Sequence, residues 1–222
     1  AKYGCKVLKL PIDAGLGCPN RDGTIASGGC VFCSEEGSAS PTATASADIL
    51  TQMKTAADSF ARTFDKTVYI AYFQAFTNTY APAERLKVLF DTALSFPGAG
   101  GLMIGTRPDC LSDEILDLIA SYRKENFELW LEIGMQTMHD KSLTFLKRGH
   151  SHQQTREAIQ SAAARGIPVC AHAILGVPGE SWQDTLHVPI RNRTGEITGV
   201  MGISRDITQR RNAEVALQAS SE

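Results

Sequence analysis

Short apolar segments alternate with helix-like segments along this chain, and that alternation constrains the fold more than any other feature. The predicted strands are residues 5–12, 67–73, 102–106, 127–134 and 168–176. The intervening segments have the apolar spacing of helices at 47–62, 82–95, 112–123 and 151–165. Strands that are separated by helices pair in parallel, with each crossover helix packed against the sheet.

The same pattern sets the fold class and the domain boundaries. The strands are nearly continuous apolar runs, as expected for a parallel sheet that is covered on both faces. A closed barrel of eight such units needs about 250 residues, and this chain has 222. The sequence therefore predicts an α/β fold, a truncated and open parallel α/β barrel over residues 1–186, followed by a distinct segment over 187–222.

A long loop follows the first strand and carries a cluster of cysteines. Residues 13–45 are rich in Gly, Ser, Thr and Asn, and a loop of this length in a compact domain is usually functional. Three of the six cysteines, Cys18, Cys30 and Cys33, lie in it with the spacing C-x11-C-x2-C. Six cysteines in 222 residues are too few for a disulfide scaffold, so the cluster indicates metal ligands.

The spacing leaves two kinds of metal site open. A zinc ion usually takes four protein ligands, so a structural zinc site would need completion by Cys5 or by a distant histidine. Three thiolates instead suit a four-iron, four-sulfur cluster with one iron left without a protein ligand. An iron of that kind can bind a substrate.

The loop GCPNRDGTIASGGCVFC (17–33) resembles the cluster loop of the radical S-adenosylmethionine (SAM) superfamily. The nearest resemblance is to a family of uncharacterised bacterial proteins related to the Elongator catalytic subunit. The commonest spacing in the superfamily is C-x3-C-x2-C, and this chain has a longer first gap. The resemblance covers residues 3–182 and continues through YIAYFQAFTNTYAP (69–82), IGTRPDCL (104–111), LWLEIGMQTMHDKSL (129–143), KRGH (147–150) and ILGVPGE (174–180).

The resemblance implies an enzyme that binds a four-iron, four-sulfur cluster through Cys18, Cys30 and Cys33. Such an enzyme cleaves SAM to a 5′-deoxyadenosyl radical, which abstracts hydrogen from a substrate. An electron donor of the flavodoxin or ferredoxin type is implied, and the Elongator likeness suggests a tRNA base as the substrate. The implied SAM contacts are Phe32, Gln74, Arg107, Glu132, Gln136, Arg148, Gly176 and Gly179.

Several of these residues also have ordinary structural explanations. A buried Glu132 needs a partner and could pair with Arg107 or Arg148. Asp109 is expected to cap the turn that follows it, and His172 is expected to be a satisfied interior histidine on the fifth strand.

The segment after residue 187 has a different character. PIRNRTGEITGVMGISRDITQRRNAEVAL (189–217) resembles the end of a PAS sensor domain: a final hairpin, a DIT motif and the start of a signalling helix. It is too short to bury a core of its own, so we expect no sensor function. Alternatively, residues 197–204 could pair at the edge of the parallel sheet as a sixth strand. The competing hypothesis for the whole chain is a signalling protein without catalytic activity.

The amino-acid composition excludes few classes of function. The formal net charge is −2, from 22 basic and 24 acidic residues, and this balance gives no support for a polyanion-binding surface. No apolar run approaches the roughly 20 residues of a membrane span, and no signal peptide pattern opens the chain. The sequence therefore predicts a cytoplasmic protein without membrane contacts.

Overall fold

The computed structural model describes residues 4–37, 39–40, 43, 47–60 and 67–180, together with two short strands at 189–191 and 197–200. The helix expected from about residue 207 lies outside the described residues, as does most of the segment that resembles a PAS domain.

Five strands form one parallel sheet in sequential order, and this confirms the predicted architecture. The strands are β1 (Lys6–Ile12), β2 (Thr67–Phe73), β3 (Ala99–Thr106), β4 (Glu128–Gln136) and β5 (Val169–Ala173). β1 and β5 are the two edges of the sheet, so the barrel is open. Because all strands run in the same direction, their carboxyl ends lie together at one end of the sheet.

The helices lie between the strands, as the apolar spacing predicts. They are α1 (Ile49–Phe60), α2 (Ala83–Leu94), α3 (Asp113–Ser121), α4 (Asp140–Phe145) and α5 (His152–Ala164). Helix α5 begins with a capping box, in which the Gln154 backbone N–H donates to Ser151 Oγ over 3.2 Å and the Ser151 N–H donates to Gln154 Oε1 over 2.8 Å. The short helix α4 was not predicted.

β3 begins earlier than the sequence predicts. The sequence predicts that Gly98 to Gly101 end the preceding helix and that the strand covers 102–106, yet the strand begins at Ala99. A Cβ atom at Gly101 would lie 2.4 Å from Ile70 Cδ1 and 2.6 Å from the Glu128 carbonyl oxygen. The glycine is therefore required within the strand, because neighbouring strands approach it too closely for a side chain.

Alternate strand residues form an apolar core against the helices. Phe73 on β2 meets Phe90 on α2 edge-to-face, with ring centroids 5.0 Å apart, and Phe90 in turn meets Tyr122 at 6.1 Å. Phe73 and Phe90 are completely buried. Since a strand places successive side chains on opposite faces, the residues between the core positions point to the other, concave face of the sheet.

Two short strands follow the parallel sheet. β6 (Pro189–Arg191) and β7 (Ile197–Val200) pair antiparallel with each other in a separate two-stranded sheet. The expected hairpin is therefore present. The alternative of a sixth strand in the parallel sheet is wrong for the described residues 197–200, because β7 belongs to the separate sheet, and residues 201–204 lie outside the described residues. The resemblance to a PAS domain itself stays a prediction.

Within the described residues, no helix combines the length and apolar character needed to cross a bilayer.

The aromatic core contact predicts the cost of truncating Phe73. Phe73→Ala should lower the free energy of unfolding by about 3–5 kcal/mol, because the cavity it leaves cannot collapse fully. Val88→Ala on the solvent-facing side of α2, where Val88 is 65% exposed, should change it by less than about 0.5 kcal/mol. Urea unfolding measures both, and equal losses in the two variants would show that Phe73 is not a core residue.

Candidate active site

The loop that carries the cysteines, residues 13–48, is anchored where it leaves β1 and folded tightly around each cysteine. Gln52 on α1 accepts from the Asp13 N–H over 2.9 Å and donates to the Asp13 carbonyl over 2.9 Å. The Cys18 carbonyl accepts from the Arg21 N–H over 2.8 Å, and the Cys33 N–H donates to the Cys30 carbonyl over 3.0 Å. These turns hold the cysteines over the carboxyl end of the sheet.

One cavity of 310 Å³ brings most of the predicted site together. Its lining includes all three clustered cysteines and six of the eight predicted SAM contacts. These nine residues are Cys18, Cys30, Cys33, Phe32, Gln74, Arg107, Glu132, Gln136 and Arg148. The cavity thus lies between the cysteine loop and the ends of the strands, where polar residues follow the apolar segments.

The arrangement of the thiols bears on the choice between zinc and a cluster. A single zinc ion holds its ligands about 2.0–2.3 Å from one point. Among the residues that the structure describes, no three His, Cys, Asp or Glu side chains converge in that way. In an iron–sulfur cluster each thiolate binds a different iron, so a cluster does not require the three thiols to meet at one point.

Gln136 reaches the cavity from the end of β4 through an unusual backbone. Its φ is +67°, a left-handed conformation that costs energy for a residue other than glycine. A Cβ atom at Gly134 would lie 2.6 Å from Arg148 Nη2 and 2.7 Å from Gln136 Nε2. Gly134 therefore leaves the space in which these two side chains line the cavity.

Arg107 is held by Asp109 rather than by a glutamate. Its Nε and Nη2 donate to the two Asp109 carboxylate oxygens over 2.9 and 2.7 Å, and Arg107 is only 1% exposed. The expectation that Asp109 caps a turn is wrong, because its carboxylate binds this guanidinium. Arg107 Nη1 is buried at the cavity and has no hydrogen-bond partner among the described atoms.

A second group of polar residues, the floor cluster, lies deeper on the concave face of the sheet. It consists of Lys9, Tyr72, Glu132 and His172, contributed by four different strands. Glu132 Oε2 accepts from Tyr72 Oη over 2.7 Å, and Oε1 accepts from Lys9 Nζ over 3.1 Å. His172 Nε2 is 3.2 Å from Glu132 Oε2. The proposed pairing of Glu132 with Arg107 or Arg148 is therefore wrong.

The floor cluster is charged at neutral pH. Burial raises the pKa of Glu132, but hydrogen bonds from His172 and Tyr72 and the charges of His172 and Lys9 outweigh it and lower this pKa to about 2. Burial lowers the pKa of His172, whereas hydrogen bonds and charge interactions with Cys170 and Glu132 raise it to about 9. The raised pKa favours the imidazolium form of His172. This side chain pairs with Glu132, as expected of a satisfied histidine, but it lines the cavity instead of being enclosed in the interior.

Arg148 and His150, in the KRGH segment, lie beneath the cysteine loop. Arg148 Nε donates to His150 Nε2 over 3.0 Å, and Phe32 lies 5.9 Å from the guanidinium carbon. Burial and the charge of Arg148 lower the pKa of His150 to about 4, in agreement with its role as an acceptor. His150 is therefore a structural partner of Arg148.

Gly176 and Gly179 occupy the loop after β5. Both have positive φ, +79° and +87°, so each serves a turn that favours glycine. The described lining of the cavity reaches Ala173 and Ile174 of this segment. Thr137 Oγ1 donates to Glu180 Oε1 over 2.6 Å, which ties the loop to the end of β4. The assignment of Gly176 and Gly179 to SAM stays a prediction.

The residues of the site that sequence reasoning missed include Lys9, Tyr72 and Asn20. A lysine and a tyrosine inside otherwise apolar strands were the available signals for the first two. Asn20 is completely buried within a loop of high polarity, where one asparagine does not stand out from the others.

The chain is similar in sequence to proteins of a known superfamily. The sequence model of the Radical SAM superfamily matches residues 15–188. "Uncharacterized protein MJ0486" of Methanocaldococcus jannaschii is 44% identical over 187 residues, or 83% of this chain and 56% of that protein. "Protein YhcC" of Escherichia coli is 42% identical over 206 residues, or 91% of this chain and 63% of that protein. The latter match extends past residue 186.

The chain therefore spans a little over half the length of these relatives. A shorter match links it to the tRNA uridine(34) acetyltransferase of Methanocaldococcus infernus, which is 34% identical over 80 residues, or 36% of this chain and 14% of that protein. The MJ0486 match shows that the family is not confined to bacteria.

Two solved structures share the fold. The archaeal Methanocaldococcus infernus Elp3 superimposes with a TM-score of 0.52 at 18% identity, over 81% of this chain and 40% of that chain. The radical SAM enzyme coproporphyrinogen III oxidase of Escherichia coli gives a TM-score of 0.51 at 16% identity, over 83% of this chain and 41% of that chain. At these identities the likeness concerns the fold alone.

The floor cluster predicts a dependence of the His172 pKa on Glu132. In Glu132→Gln the carboxylate charge is lost while burial remains, so the pKa of His172 should fall from about 9 to below 6.5, its ordinary value. NMR titration of labelled histidine measures this. Lys9→Met is the control, because it leaves Glu132 in place and should keep the pKa above 6.5.

The same shifts set a pH window for stability. The His172 contribution is complete below pH 6.5 and is lost as the pH rises through about 9, whereas the Glu132 contribution is complete above pH 4.5 and is lost as the pH falls through about 2. A His172 pKa that stays near 9 in Glu132→Gln would contradict the described pairing.

Proposed function

Because the chain belongs to the Radical SAM superfamily, we propose that it is an enzyme whose four-iron, four-sulfur cluster is held by Cys18, Cys30 and Cys33. When bound, the cluster supplies one electron that splits a sulfur–carbon bond of SAM, and the released 5′-deoxyadenosyl radical takes a hydrogen atom from the substrate. The observation that carries this proposal is the single cavity shared by the three cysteines and by the polar residues of four strands.

The residues at the strand ends hold SAM beside the cysteines. Gln74 follows β2 and Gln136 ends β4, and both line the cavity near its rim. Their amide groups can both donate and accept hydrogen bonds, which suits the ribose hydroxyls and the amino acid part of SAM. Phe32, next to Cys33, adds an apolar wall that helps to exclude water from a reactive radical.

Glu132 acts by orienting its neighbours. A carboxylate offers about four acceptor positions, and Lys9, Tyr72 and His172 already occupy three sides of Glu132. Glu132 lies four residues before Gln136, about 10–13 Å deeper along the strand. We therefore assign the direct SAM contacts to the rim, and we assign the floor cluster to the substrate side of the cavity.

A tRNA base is the substrate class that we propose. The support is the partial match to a tRNA uridine(34) acetyltransferase, together with the cationic side chains of Arg21 and Arg107 at the cavity, which suit a polyanion. The net charge of −2 adds no support.

The proposed chemistry also needs an electron source and a reducing environment. We propose a flavodoxin or ferredoxin as the donor and the cytoplasm as the location. The competing hypothesis, a signalling fragment carried by residues 187–222, is not favoured, because the superfamily match covers residues 15–188. We propose that this segment takes no part in the chemistry.

Cysteine variants test the ligand assignment. Cys18→Ala, Cys30→Ala and Cys33→Ala should each lose most of the iron after anaerobic reconstitution, because each removes one of three protein ligands. Cys5→Ala, Cys110→Ala and Cys170→Ala should keep about four irons per chain. Iron analysis and visible absorption measure the outcome. A full cluster in Cys18→Ala would exclude this ligand set.

Cleavage of SAM tests the role of the rim. The reconstituted and reduced wild-type protein should form 5′-deoxyadenosine from SAM. Gln136→Ala should raise the Kd for SAM roughly tenfold, the loss expected for about 1.4 kcal/mol of hydrogen bonding, while the iron content stays unchanged. Lys9→Met, at the floor, is the matched control and should bind SAM normally. Equal SAM affinity in wild type and Gln136→Ala would exclude Gln136 as a contact.

A further inference from the structure

Asn20 joins the cysteine loop to the KRGH segment. It is completely buried, and its Nδ2 lies 2.7 Å from the Lys147 carbonyl oxygen, 2.9 Å from the Arg148 carbonyl oxygen and 3.3 Å from Cys30 Sγ. Two carbonyl groups can only accept hydrogen bonds, so this side of the amide must be the nitrogen. Asn20 therefore presents N–H groups to the sulfur of a proposed cluster ligand and to the backbone below it.

Arg148 approaches the same sulfur from the other side. Its Nη1 is 3.6 Å from Cys30 Sγ, its Nη2 donates to the Gly134 carbonyl over 3.0 Å, and its Nε donates to His150 Nε2. Every nitrogen of the guanidinium thus has a partner within the chain. Arg148 would have to break one of these contacts to bind SAM, whereas its contact with Cys30 is already formed in the structure.

The backbone conformation of the KRGH segment allows Asn20 to approach it closely. Lys147 and Gly149 both have positive φ, +51° and +76°, and a Cβ atom at Gly149 would lie 2.6 Å from Asn20 Oδ1. The Val31 N–H donates to the Leu146 carbonyl over 3.1 Å. The KRGH segment and the residue before it are therefore hydrogen-bonded to Asn20 and to Val31, the neighbour of Cys30.

We propose that Asn20 and Arg148 are positioning residues for Cys30, which fix its sulfur and raise the reduction potential of the cluster through N–H···S hydrogen bonds. This inference rests on the proposed function. Reduction adds one negative charge to a cluster, and hydrogen bonds to the sulfur atoms and nearby positive charge stabilise that charge. The motif KRGH thereby serves the cluster, rather than SAM or the substrate.

The midpoint potential of the reconstituted cluster, followed by EPR during a redox titration, tests this inference. In Asn20→Ala and Arg148→Gln the potential should become more negative, with an about tenfold lower equilibrium constant for one-electron reduction, or 59 mV. Arg148→Lys retains the charge and should give a smaller shift. Arg165→Gln is the control for loss of charge, because Arg165 pairs with Asp113 and Asp117 on the surface and should leave the potential unchanged.

Iron content separates the possible outcomes. Variants that hold about four irons and have the wild-type potential would overturn the inference. If Arg148→Gln does not take up iron, the potential of Arg148→Lys decides, and a wild-type value there together with a wild-type value in Asn20→Ala would also overturn it. A wild-type protein that assembles no cluster would instead contradict the proposed function.

Discussion

The common direction of the five strands is the constraint on which the rest of the structure depends. Parallel strands place all their carboxyl ends at one edge of the sheet, and each return crossing must be a helix on the outer face. The apolar side chains on the outer face of the sheet pack against these helices, so the concave face can carry polar side chains. The cavity follows from this arrangement, because the cysteine loop after β1 closes over an edge where Gln74, Arg107 and Gln136 all emerge.

Two electrostatically different zones share the cavity. At the rim, the sulfur of Cys30 lies within reach of N–H groups of Asn20 and Arg148. At the floor, the carboxylate of Glu132 is surrounded by Lys9, Tyr72 and His172. A buried ion pair seldom adds stability compared with apolar residues of the same volume. We therefore propose that the floor cluster orients polar groups towards a substrate.

The sequence predicts the architecture well because its signals are local. Strand and helix periodicity, capping residues and the spacing of Cys18, Cys30 and Cys33 are all properties of short segments. Two errors concern the partners of buried charges. Glu132 pairs with Lys9 and His172, from distant segments, rather than with an arginine, and Asp109 binds the nearby Arg107 instead of capping a turn. Which partners a buried charge takes depends on the register of neighbouring strands, and no local pattern encodes that register.

We propose that Cys18, Cys30 and Cys33 hold a four-iron cluster with one iron free to bind SAM. Mössbauer spectroscopy of the reconstituted, ⁵⁷Fe-labelled wild-type protein, with and without SAM, tests this proposal. We expect one iron in four to change its spectrum when SAM is added, while the three irons bound by the cysteines do not. A spectrum in which all four irons are equivalent and unaffected by SAM, or one of a single mononuclear iron site, would contradict it.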